Sequence, residues 1–181
     1  MTDPSLDSAV VLVTGVMASG KSAVAQALAE RLPRAAHVRG DVFRRMIVSG
    51  RVEYAPGAGV EAEEQLRLRY RQSAAVAEAY ARAGFTAVVQ DVVIGEELAG
   101  YVGLIGVRPL YVVVLAPRAE VVAEREAGRG KRGYGEWGVG GLDRVLREGT
   151  PRIGLWLDTS ELSVEESVGA LLSRLPEARV G

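Results

Sequence analysis

Cysteine is absent from the 181 residues and histidine occurs once, at His37. A disulfide framework, a Cys/His zinc cluster and a thiol nucleophile are therefore excluded. Lysine is nearly missing too: of 22 basic residues only Lys21 and Lys131 are lysines, which draws attention to both. No apolar run approaches the ~18 residues a membrane span requires. The opening MTDPSLDS lacks the basic start and long apolar stretch of a secretory signal, so the expected location is the cytoplasm and no membrane partner is expected. A formal net charge of −1 supplies no general field to attract nucleic acid, and none is expected as a partner. The length suits one compact α/β domain over residues 1–181, large enough to bury a core without a staple.

What is present is an alternation of apolar runs with helical patterns. Residues 9–14 (AVVLVT) form a continuous β-branched run, the pattern of a strand buried on both faces of a parallel sheet. Val24, Leu28 and Leu32 then recur every fourth position up to Pro33, giving one apolar helix stripe. A weaker strand is expected over 35–39, ended by Gly40 and Asp41, with a helical pattern over 42–48 and a Gly/Pro-bearing loop over 49–60. Residues 61–83 predict a long helix with Leu66, Tyr70, Ala74, Ala77 and Ala81 on one face and Glu63–Arg67 and Glu78–Arg82 as favourable pairs. Further strands are expected over 85–90, 110–115 and 153–157. Pro117 opens a helix running to about Ala127, and Ser163 with Glu166 forms a capping-box pattern for the last helix. Seven glycines in residues 128–141 argue against helix or packed strand there and predict a mobile flap. This alternation implies a parallel sheet with helices on both faces.

Between the first strand and the first helix stands Gly15-Val16-Met17-Ala18-Ser19-Gly20-Lys21-Ser22. The pattern GxxxxGK(S/T) turns successive backbone N–H groups toward one point, and the following helix adds its N-terminal dipole, so the eight residues are read as a polyphosphate cradle. Lys21 is expected to bridge the β- and γ-phosphates of ATP, and Ser22 to ligate the Mg²⁺ that neutralises them. GTPases read guanine through Asn-Lys-x-Asp, and the sequence contains no asparagine, which closes that route. The strand ending Val89-Gln90-Asp91-Val92 also lacks the Asp-Glu pair of hydrolytic ATPases, so phosphoryl transfer is the more natural reading.

In open parallel sheets the ligand lies beyond the carboxyl ends of the strands, where Asp41 and Asp91 fall. Asp41 is read as the catalytic base for an acceptor hydroxyl, or as a helix N-cap. Asp91 is read as organising the metal through water, or as a turn former. Arg125, Arg129 and Arg132 lead into the flap, where guanidinium groups could reach phosphate oxygens, or form a solvated face. Trp137 covers ligand or packs against the closed flap. Arg44 and Arg45 meet an anionic substrate group or form a solvated face, Tyr54 is a pocket candidate, and His37 is read as structural.

These features resemble the small P-loop kinases that include chloramphenicol 3-O-phosphotransferase, gluconate kinase and shikimate kinase. The resemblance rests on GVMASGKS at 15–22, RGD ending at Asp41, VVQDV around Asp91, EREAGRGKR at 124–132 and LDTSELSVEE at 157–166. It implies a P-loop kinase fold with a five-stranded parallel sheet of order 2-3-1-4-5, a glycine-rich lid at about 128–141, ATP as donor and a carboxylate base at Asp41. It further implies Arg125 or Arg129 against adenine, with residues 158–161 beside the base. The implied activity is transfer of the ATP γ-phosphate to a hydroxyl of a small molecule such as an antibiotic or a sugar acid. Alternatives are a nucleotide or polynucleotide 5′-kinase and a non-catalytic ATP-binding switch.

Overall fold

The computed structural model describes residues 6–55, 57–128 and 138–181. Strand β1, Val10–Gly15, is buried along its whole length and leads into helix α1, Lys21–Arg31. β2 is Ala35–Arg39, followed directly by a short helix α2, Gly40–Arg45. The long helix α3 spans Val60–Arg82 and precedes β3, Thr86–Gln90. Helix α4, Glu97–Leu104, is absent from the sequence expectation, and β4 occupies Leu110–Leu115 as expected. Then come α5, Ala119–Ala127, α6, Gly138–Gly149, and β5, Leu155–Leu157. The chain closes with α7, Val164–Ser173, α8, Leu175–Ala178, and a two-residue β6, Arg179–Val180.

The five parallel strands stand in the order β2-β3-β1-β4-β5, as the resemblance implied. β1 is central because it is apolar on both faces: its alternate residues enter two separate cores. Val10 and Leu12 pack with Tyr70, Ala74, Ala77 and Ala81 of α3, whereas Val11 and Val13 pack with Val24 and Leu28 of α1 and Val168 and Leu171 of α7. The outer edge of β4 is shared. β5 pairs with Val113–Leu115, and β6 runs antiparallel beside Leu110 and Tyr111. Two residues of strand carry too little pattern to be seen in sequence, and their place depends on α8 returning the chain to this edge.

Helix α3 carries its expected stripe inward, and its surface ion pairs form, Arg82 to Glu78 at 2.7 Å and Arg67 to Glu63 at 3.6 Å. Pro117 lies two residues before α5 instead of inside it. The glycine-rich stretch differs more. Residues 129–137, including Arg129, Arg132 and Trp137, lie outside the described residues, while 138–141 form the first turn of α6. Helix wins over glycine's poor propensity because Leu142 and Leu146 are buried against the same core as Val122 of α5.

The last helix begins at Ser163 with both halves of the capping box formed: Glu166 N–H donates to Ser163 Oγ at 3.2 Å, and Ser163 N–H donates to Glu166 Oε2 at 2.8 Å. Ser163→Ala should lower stability by about 1 kcal/mol, read as an earlier urea midpoint at unchanged slope.

Candidate active site

The loop between β1 and α1 has the backbone its sequence demands. Gly15 at φ 145° and Gly20 at φ 95° take conformations closed to most side chains, and Ala18 is held at φ 59° despite carrying a Cβ. At Gly15 space is as restrictive as torsion, since a Cβ would come within 2.4 Å of the Leu115 carbonyl oxygen and 2.9 Å of Ser19 Oγ. Gly20 caps α1, and its carbonyl accepts from Val24 N–H at 3.1 Å. Within the cradle Lys21 is buried, with Nζ donating to the Val16 carbonyl at 2.5 Å, while Ser22 is exposed at the first turn of α1. Ser19 Oγ is buried without a hydrogen-bond partner. A strained concave backbone, an inward lysine and an unsatisfied hydroxyl fit a bound polyphosphate, and Ser22 at the rim fits a magnesium ion beside it.

Arg125 reaches this cradle from α5. Its Nη2 donates to the Thr159 carbonyl at 3.0 Å, and its Nη1 lies 4.0 Å from where a Cβ on Gly20 would stand. One arginine thus spans the P-loop and the loop after β5, and its partner Thr159 stands 34 residues further along the chain. Asp158 organises that loop by accepting from Ser160 N–H at 2.9 Å and from its hydroxyl, and these bonds hold the Asp158 carboxyl below its usual range. Thr159 Oγ1, in the same loop, is buried without a partner.

On the other side of the sheet's carboxyl edge, Asp41 occupies the first turn of α2. The N-cap position is Arg39 and no side chain caps the helix, so the capping role considered for Asp41 is not what the structure contains. Its Oδ2 receives Arg45 at 2.9 Å, Arg39 Nε stands 3.8 Å from Oδ1, and Oδ1 is buried with no hydrogen-bond partner. Arg44 points elsewhere, onto Glu53 of the following loop. His37 Nδ1 is 2.8 Å from Gln26 Oε1 on α1, and burial lowers its pKa, a structural placement.

The metal role expected for Asp91 meets a different arrangement. Asp91 has no exposed surface and its two oxygens receive Arg69 of α3 in a bidentate pair, with Nε to Oδ2 at 2.8 Å and Nη2 to Oδ1. Oδ1 also accepts from Val92 N–H at 2.7 Å, so the turn role is present. Strand alternation explains the outcome. Val88 shares the α1 side of the sheet with Val13, and Gln90, two residues on, keeps that side, which turns Asp91 to the α3 side. The polar group that β3 directs toward α1 is thus Gln90, whose Oε1 is buried and unsatisfied.

Asp91 also explains Gly40. A Cβ at Gly40 would lie 1.9 Å from Asp91 Oδ2, so only glycine lets α2 begin against this carboxylate and place Asp41 where it does. Tyr70 and Thr14 secure the segment after Asp91: Tyr70 Oη donates to the Val92 carbonyl at 2.7 Å, and Thr14 Oγ1 bonds both Val93 N–H and its carbonyl. Tyr70 and Tyr101 stack edge to face at 5.6 Å, and burial pushes the Tyr101 hydroxyl up to about 12. Sequence reasoning missed Arg69. Its signal was a charge one residue before the inward Tyr70, on the margin of the apolar stripe. A hollow of about 550 Å³ lies on the exposed side of α3, lined by Glu61, Glu64, Leu68 and Arg71 among others, and involves no P-loop residue.

Sheet order, strained phosphate loop and flanking helices define a P-loop kinase fold. The family model described as AAA domain matches residues 10–140, and the chain belongs to that family. No curated protein sequence matches it. Among solved structures it is similar to a sugar kinase from Janibacter sp., with TM-score 0.69 and 21% identity over 93% of this chain and 95% of that one. It is also similar to the Deinococcus radiodurans tunicamycin resistance protein, with TM-score 0.65 and 17% identity over 95% and 98% of the two chains. The Mycobacterium tuberculosis APS kinase, solved with AMPPNP and APS, gives 0.65 and 19% over 92% and 96%. No helix among the described residues is long and apolar enough to cross a membrane.

Removing half of a buried ion pair leaves the other charge stranded. Asp91→Asn should therefore cost about 3–5 kcal/mol, read by urea denaturation, whereas Arg67→Gln on the solvent side of α3 should change stability by less than about 1 kcal/mol.

Proposed function

We propose that the protein transfers the γ-phosphate of ATP to a hydroxyl of a small molecule, with an antibiotic or a sugar acid as the leading acceptor classes. The observation that carries this is Asp41 Oδ1: a buried carboxylate oxygen without a hydrogen-bond donor, at the carboxyl edge of the same sheet that holds the phosphate cradle. An oxygen so placed is suited to receive a proton. The similar structures include a sugar kinase and a tunicamycin resistance protein, in keeping with such acceptors, and the APS kinase was solved with AMPPNP and APS.

In this reading Gly15 to Ser22 hold the triphosphate, with Lys21 leaving the Val16 carbonyl for the β- and γ-phosphates. Ser22 would hold Mg²⁺, which when bound neutralises the phosphate charge. Asp91 keeps no oxygen for that task, and Gln90, the polar residue that β3 turns toward α1, would be the nearer candidate. Arg125, fixed to the Thr159 carbonyl, offers a guanidinium face to the adenine. Arg129 and Arg132, which lie outside the described residues, would stabilise the charge of the transferring phosphoryl group. The acceptor oxygen bonds to the γ-phosphorus as the bond to the β,γ-bridging oxygen breaks. Its proton passes to Asp41 Oδ1, and ADP is released.

Two measurements test this. A coupled ADP assay over hydroxylated antibiotics, sugar acids and nucleosides should show turnover only with a matching acceptor. Acceptor-independent hydrolysis, 5′-phosphorylation of oligonucleotides, or ATP binding without turnover would each replace the proposal. With the matching acceptor, Asp41→Asn should lower kcat by about 10²–10⁴-fold and leave ATP affinity within about twofold, while Lys21→Ala should weaken ATP binding as well.

A further inference from the structure

Helix α3 buries one face in the core and turns another to solvent. Glu61, Glu64, Leu68 and Arg71 are exposed on that outer face, and so are Ala75 and Ala79. Steps of three and four residues set all six in one seam along the helix, the spacing by which two helices interlock. The N-terminal part of the seam is the floor of the 550 Å³ hollow. Its walls are held by other elements. On one flank Gln65 Nε2 donates to the Gly50 carbonyl at 2.8 Å, and its Oε1 accepts from Val52 N–H at 2.9 Å. On the other flank Arg67 stands 3.6 Å from Glu63 and 3.8 Å from Glu97 of α4. The floor itself has no such ties. Within three or four positions Arg71 has Arg67, Leu68, Ala74 and Ala75, and no acid. Glu64 has one base within that reach, Arg67, which Glu63 and Glu97 already engage. Glu64 and Arg71 themselves stand about 10 Å apart along the axis, with Leu68, 37% exposed, between them.

We infer that this seam is an interface for a second copy of the chain, with the two α3 helices antiparallel about a two-fold axis at Leu68. The charge pattern carries the assignment, because it is complementary to itself only in that arrangement. Positions equally distant from residue 68 then face each other, so Glu64 of one copy comes within one residue of the partner's Arg71, and the symmetry makes this pair twice. Leu68 meets the partner's Leu68 on the axis, and Ala75 leaves room beside the partner's Glu61. Parallel pairing sets Glu64 on Glu64 and Arg71 on Arg71, so the same charges reject it. One helical seam covers less than the roughly 800 Å² per partner of a standard interface. The dimer is therefore weak, and its exposed ion pairs make it sensitive to salt. No residue of the seam belongs to the P-loop or to α2, which leaves the carboxyl edge of the sheet open in both copies.

Sedimentation velocity of the full chain at low salt, over roughly 5 to 500 µM, should show a reversible monomer–dimer equilibrium that added salt weakens. Arg71→Glu makes the floor of the seam wholly acidic and Glu64→Arg makes it wholly basic. Each should raise the dimer dissociation constant about tenfold or more, because like charges then face each other. An equimolar mixture of the two variants should associate more tightly than either alone, since the acidic seam of one then meets the basic seam of the other. The double exchange, Glu64→Arg with Arg71→Glu, should restore self-association. All these positions are exposed, and an unchanged urea midpoint shows that each variant is folded. A protein that is monomeric at every concentration overturns the inference. So does a dimer indifferent to Arg71→Glu, which is built on another face, or a mixture that associates no better than its components. None of these outcomes bears on the phosphoryl-transfer reading, which rests on other residues.

Discussion

The carboxylate of Asp91 organises the α2–α3 side of the sheet's carboxyl edge. Taken out of water at the end of β3, it requires donors on both oxygens. Arg69 meets that requirement from α3 and Val92 N–H from its own turn. The consequences spread from there. A side chain at residue 40 is ruled out, which sets where α2 begins and hence where Asp41 and Arg44 stand. Arg69 in turn fixes the rotation of α3, the helix whose other face supplies Tyr70 and the alanine stripe to the core. A single buried charge therefore joins a strand, two helices and the position of the proposed base.

The phosphate loop depends on a different physical device. Its geometry comes from backbone torsions, with Gly15, Ala18 and Gly20 turned to positive φ and α1 aimed at the loop they enclose. Strain of this kind persists where the surroundings over-determine it. Here β1 is buried between β3 and β4, and the Leu115 carbonyl fills the space behind Gly15. The two halves of the site are thus held by unlike means, torsion on one side and a desolvated ion pair on the other, and they meet at the carboxyl edge of the sheet. Arg125 adds a third tie by bonding the loop after β5 across the cradle.

Local pattern carried most of the architecture. β1, β2, β4 and α7 lie where apolar runs, the Gly40 stop and the Ser163–Glu166 box place them, since each is specified by residues within one or two turns of each other. The elements not visible in sequence are those whose stability is borrowed. Helix α6 overrides its glycines through Leu142 and Leu146, and β6 exists because α8 delivers two residues to an edge that β5 leaves uncovered. At the site the same division holds. The P-loop was legible because torsion and spacing are written in eight consecutive residues. Of the two readings of Asp91, the turn is present, while its engagement by Arg69 was not visible because that partner stands 22 positions away, on a helix whose inner margin pattern alone leaves undefined.

The sequence by itself determined that a phosphate cradle exists, that it follows a central parallel strand, and that neither thiol nor Cys/His metal chemistry is open to this chain. These follow from residue types and local spacing, which need no partner. Tertiary structure decided which of two acidic residues is buried into the scaffold and which stays partly open to solvent. Asp41 and Asp91 are alike in composition and in their place at strand ends. Only the packing of α3 against β3 gives Asp91 an arginine on both oxygens, donors that its complete burial makes obligatory, whereas Asp41 keeps a 37% exposed side chain and needs no such partner.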